Sequence, residues 1–133
     1  MRKAREIARS LDNKRVICVD VENSSDIMKY INQSDKHRKK FRYISEIILN
    51  GHKNTDVYDK EDINEKCKDV TAMKFFKNGD NDRLYCKEIV RDDKILFIIA
   101  SELYEKKKTR KNDNRIKSII NKVGGYEYEI IEK

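Results

Sequence analysis

The chain has 133 residues, 41 % of them charged and 38 % hydrophobic, with a net charge of +7 and a pI near 9.2. That length suits one domain around one core. No run approaches the length needed to span a bilayer and no apolar h-region follows the basic N-terminus, so a cytoplasmic protein is expected. Three widely spaced cysteines (Cys18, Cys67, Cys86) form no C-x-x-C pair, and His37 and His52 lack ligand spacing. Neither a disulfide framework nor a zinc site is indicated, and no cofactor is called for.

In chain order, Ala4, Ile7, Ala8 and Leu11 recur at helical spacing, which predicts a short N-terminal helical extension over 1–12. Arg15 to Val21 is rich in β-branched residues and reads as a strand. The capping cluster Asn23-Ser24-Ser25-Asp26 precedes Ile27, Tyr30 and Ile31. A longer helix follows, with Phe41, Ile44, Ile47 and Ile48 on one face, Ser34 or Asp35 at its start and Asn50-Gly51 at its stop. Residues 52–68 are polar and acidic and read as loop, with one helical turn around Ile63.

Three strands are then expected, at Val70–Phe76, Arg83–Val90 and Lys94 to about Tyr104, joined by short turns that imply antiparallel hairpins. The third is apolar on both faces and should be central. Ile116, Ile119, Ile120 and Val123 form a helical stripe ending at Gly124-Gly125, and Tyr126 to Ile130 alternates like a short edge strand. The whole reads as one α+β domain over 1–133: N-terminal helices, an antiparallel sheet of about four strands, and a closing C-terminal helix.

Positive charge concentrates in three places: Arg2, Lys3, Arg5 and Arg9; then Lys36 to Arg42; then Lys106 to Lys111. The last run begins where the most apolar segment, Ile95–Ala100, ends through Tyr104, so cations leave a rigid strand. Clustered charge of this kind suits phosphates or an acidic partner. A solvated lysine-rich surface is the bland alternative.

No P-loop, G-x-S-x-G, H-E-x-x-H or Rossmann glycine pattern occurs. Any chemistry must then run on lysine, arginine, tyrosine and carboxylates. RNA cleavage needs no more, because the 2′-hydroxyl is an internal nucleophile to be oriented while charge on the phosphate is stabilised. Strand alternation puts Arg83, Tyr85 and Lys87 on one face, which Lys74, Tyr104 and Lys106 join from neighbouring strands. For each residue singly, the competing reading is an ordinary half-buried or paired side chain.

The run Ala72–Lys77, the block Asn81–Ile89, the strand Ile95–Ala100 and the exit Lys106-Lys107-Lys108 together resemble the phage-derived RelE/HigB-like toxins of the RelE/ParE superfamily. The resemblance covers about residues 26–123. It implies the toxin of a toxin–antitoxin pair, acting as a ribosome-associated mRNA endonuclease and neutralised by a small antitoxin. It assigns catalysis to Arg83, Lys87, Tyr104, Lys106 and Lys107. RNA contacts are expected from Lys74, Tyr85, Lys108, Arg110, Lys111, Arg38, Lys39 and Lys40. Two other readings stay open: a non-catalytic RNA-binding or ribosome-associated module, and a phage or mobile-element protein docking an acidic partner.

Overall fold

A computed structural model of the protein describes residues 1–76, 82–105 and 113–131. Along the chain run β1 (Arg2–Arg9), β2 (Arg15–Asp20), α1 (Ser24–Ile31), α2 (Asp35–Leu49), β3 (Tyr58–Lys60), a single 3₁₀ turn (Glu65–Cys67), β4 (Val70–Lys74), β5 (Arg83–Val90), β6 (Leu96–Tyr104), α3 (Asp113–Gly124) and β7 (Tyr128–Ile131). The strands form one sheet in the order β3-β4-β5-β6-β2-β1-β7.

This overturns the expected four-stranded antiparallel sheet: the described residues form seven strands, and the sheet is mixed. β2 lies parallel to β6 and β1 parallel to β7, and the other pairs are antiparallel. The meander β4–β5–β6 is where short turns placed it. Both parallel pairs join segments far apart in sequence, which turn spacing cannot report. β3 also arises inside the stretch read as loop, and the helical turn forms at Glu65–Cys67 instead of around Ile63.

The N-terminal helix expected over 1–12 is instead β1. Its helical spacing has a different origin. The register against β2 slips between Glu6 and Ala8, a β-bulge at Ile7. Ala4 packs with Val16 and Cys18 on one side of the sheet, while Ile7 and Ala8, beyond the bulge, pack on the other. Burial on two faces across a bulge thus imitates one face of a helix.

α1 and α2 cover one face through Ile27, Tyr30, Ile31, Ile44 and Ile48, which meet Ile17, Met73, Leu84, Cys86 and Ile98. α3 covers part of the other through Ile120 and Val123, which meet Val70, Ala72, Tyr85 and Tyr104. The α2 boundaries follow the sequence signals: Ser34 Oγ accepts from the His37 N–H at the start, and Gly51 takes φ +70° just past the end. At the end of α3, a Cβ on Gly124 would come 2.9 Å from the Lys66 carbonyl oxygen, so glycine lets the helix close against the 3₁₀ turn.

A buried polar knot ties the late and early strands together. Asp20, wholly buried, accepts from Arg2 Nε at 2.7 Å, from the Tyr128 hydroxyl at 2.7 Å and from the Asn23 N–H at 3.1 Å. The Tyr128 hydroxyl also lies 2.9 Å from Ser101 Oγ. Ser101 is the extra residue where the β5–β6 register shifts, with Tyr85 opposite Glu102 and Cys86 opposite Ala100.

Candidate nucleic-acid interface

β5 alternates as its sequence demands. Leu84 and Cys86 enter the core under α1 and α2, so Arg83, Tyr85 and Lys87 face the α3 side. Register then sets neighbours across the strands. Lys74 of β4 is opposite Arg83, and Arg83 is opposite Tyr104 of β6. With strands about 5 Å apart, the three make one row about 10 Å long on a single face.

Arg83, half-buried, makes no side-chain hydrogen bond or ion pair among the described residues. Its guanidinium therefore has five donors to offer a ligand. The Tyr104 and Tyr85 hydroxyls are buried and also lack a hydrogen-bond partner among these residues. Unpaired buried hydroxyls are uncommon, because each forfeits its solvation without recompense. Lys74 Nζ donates to the Thr55 carbonyl at 3.2 Å and forms no ion pair among the described residues.

A carboxyl absent from the sequence reading lies on the same face, four residues along the strands from this row. Glu61 continues the β3 pairing by donating its N–H to the Val70 carbonyl at 2.9 Å, which sets it on the same face as Asp59. Burial raises its carboxyl above the ordinary value, with Arg83 and Lys74 pulling it down and Asp59 pushing it up. Tyr85 is likewise raised, first by burial and then by Glu61, against the pull of Arg83. Glu61, Arg83 and Tyr85 thus feel one another's fields. Glu61 lay within an acidic stretch that read as loop. The alternation of Tyr58 and Lys60 around Asp59 was the only sequence sign that a strand passes there.

Other expected residues fare differently. Lys87 shares the face, but its Nζ donates to the Gly124 carbonyl at 2.6 Å and so caps the end of α3. Tyr85 is fully buried and offers no ring face for stacking a base. Arg38, Lys39 and Lys40 lie on α2, across the sheet from Arg83. Arg38 pairs with Asp35 and donates to the Asn32 carbonyl, and Lys40 lies over the Tyr43 ring at 5.5 Å. Their neighbour Lys36 covers the Phe76 ring at 4.6 Å. Lys106, Lys107, Lys108, Arg110 and Lys111 fall outside the described residues.

The cysteines do not suit nucleophilic work. All three are buried, and burial pushes the Cys18 thiol up to about 12 and raises Cys86 as well. Among the described residues, no group of three or more His, Cys, Asp or Glu side chains is placed to hold a metal ion, and no helix is long and apolar enough to cross a membrane. No protein-family model, no curated protein and no solved structure matches the chain.

Proposed function

We propose that the protein is an endoribonuclease acting on ribosome-bound mRNA, the toxin of a toxin–antitoxin pair. One observation carries the reading: Arg83, a half-buried guanidinium with no side-chain hydrogen bond or ion pair among the described residues, stands in register between Lys74 and Tyr104. A preorganised cation flanked by a second cation suits a phosphate gaining charge in a transition state. The reading rests on these side chains and on the segments between Ala72 and Ile89 that resemble the toxin family. It does not rest on the sheet, whose seven mixed strands differ from the architecture that the resemblance implied.

The chemistry is transesterification within RNA. Arg83 and Lys74 hold the phosphate and stabilise its added charge. The face lies on strands braced by core packing behind them, so little reorganisation is needed at reaction.

The test is induced expression in a bacterial host, with growth and mRNA integrity followed together beside an Arg83→Ala variant. Growth arrest with mRNA cleavage, both relieved by Arg83→Ala, is the expected result. Normal growth with intact mRNA overturns the toxin reading. Purified protein that binds RNA with a steep salt dependence and yields no cleavage products would assign it as an RNA-binding module instead.

A further inference from the structure

We infer that Tyr30 is a positioning residue for Arg83: from α1 it holds the strand ends behind Lys74 and Arg83, so that both cations meet the phosphate at fixed places. The inference deepens the endoribonuclease reading and rests on it.

Lys74 closes β4, Arg83 opens β5, and the two face each other at the last rung between these strands. Backbone pairing continues for one more bond, from the Phe75 N–H to the Asp82 carbonyl at 3.3 Å. The end of a ladder opens more readily than its middle, because support comes from one side alone. Register thus chooses the neighbours of Arg83 without holding the strand end still.

Tyr30 supplies that hold at two points. Its hydroxyl donates to Asp82 Oδ2 at 2.7 Å, a bond in which both side chains are buried. Its ring meets Phe75 edge to face at 5.1 Å between centroids, and Phe41 of α2 stacks on Phe75 as well. One side chain therefore grips the residue after Lys74 and the residue before Arg83. Strand alternation turns Phe75 and Asp82 toward the helices and Lys74 and Arg83 to the opposite face. The grip lies behind the site, where it touches no substrate.

A hydroxyl and a carboxyl are a costly way to fill this space. An apolar pair would need less desolvation, but only a hydrogen bond fixes direction as well as distance. Direction is what a phosphate-binding cation needs, since a displacement of about 1 Å costs up to about 100-fold in rate. Tyr30 and Phe75 are almost wholly enclosed, so the packed core passes the position of α1 to the strand ends with little slack.

The experiment measures cleavage of a 5′-labelled mRNA on purified bacterial ribosomes, per folded molecule, for wild type, Tyr30→Phe, Arg83→Ala and the double variant. Tyr30→Phe keeps the ring on Phe75, removes the bond to Asp82, and should lower kcat about 10-fold. In the Arg83→Ala background the same change should cost less than about twofold, because the group it positions is gone. Asp82→Ala should fall as far as Tyr30→Phe, and Asp82→Asn, which still accepts from Tyr30, should recover most of the rate. Ile44→Val loosens the same core elsewhere and should leave kcat unchanged. A loss of equal size from Tyr30→Phe in both backgrounds, or no loss in either, would overturn the role of Tyr30 and leave the nuclease standing. Intact mRNA with wild-type protein would overturn both.

Discussion

On the α1/α2 side of the sheet Lys36, Arg38 and Lys40 ride on a helix, and on the α3 side Lys74 and Arg83 stand on strands. Lys36, Arg38 and Lys40 each have a partner close at hand: the Phe76 ring, Asp35 with the Asn32 carbonyl, and the Tyr43 ring. A cationic run in the first turns of a helix opposes the helix dipole. Here those local contacts, with the Ser34 cap, offset that cost. Arg83 has no such partner among the described residues, and its place is fixed by strand register, not by ligation. Basic residues that look alike in a composition count therefore divide into those engaged in holding the fold and those left without a hydrogen bond or ion pair among the described residues.

The sharpest test of this division uses two consecutive residues of β5. Leu84→Ala empties a fully buried site among Met73, Cys86 and Ile98, and should cost about 3 kcal/mol of stability in denaturant unfolding. Cleavage per folded molecule should be unchanged. Arg83→Ala should do the reverse, lowering cleavage about 100-fold with a midpoint close to wild type. If both variants lose stability equally, the two faces do not differ in the way argued.

Lys87→Met refines the comparison within one face. It removes the bond to the Gly124 carbonyl and should cost about 1 kcal/mol of stability with little effect on cleavage rate. A large loss of activity would move Lys87 back among the substrate contacts. On the opposite face, replacing Arg38, Lys39 and Lys40 together by alanine should change cleavage by less than about threefold and leave the salt slope of RNA binding unaltered. A slope reduced by about three would show that RNA reaches around the sheet.

The smallest effect concerns Glu61 and stability. Because its carboxyl is raised in the fold, the ionised form is disfavoured there relative to the unfolded chain. Stability is fully present while the carboxyl is protonated and declines as pH rises through the folded-state value. Glu61→Gln should thus melt slightly above wild type at neutral pH, with the gap closing toward acid.

The sequence exposed some of this and concealed the rest. The stripe in α3, the caps of α2 and the central place of β6 were legible because each depends on neighbours a few residues apart. So was the common face of Lys74, Arg83, Tyr85 and Tyr104, which follows from strand alternation and short hairpins alone. β1 was not legible, since the bulge at Ile7 gives a strand the periodicity of a helix. The parallel pairs, the knot at Asp20 and the capping role of Lys87 all join residues remote in sequence. Glu61 was hidden by an acidic stretch whose composition suggests a loop and whose three-residue strand is set by pairing with β4.

The pairing of β1 with β7 sets Arg2 beside Tyr128, so two strands remote in sequence must meet. A ribosome would have to deliver β7 before that edge of the sheet could zip shut. Until then β1 presents an unpaired row of amides and carbonyls, a ready template for another chain. Contacts of such long separation slow folding. Conditions that crowd nascent or unfolded copies should therefore produce misassembly at that edge before any loss of the native state itself.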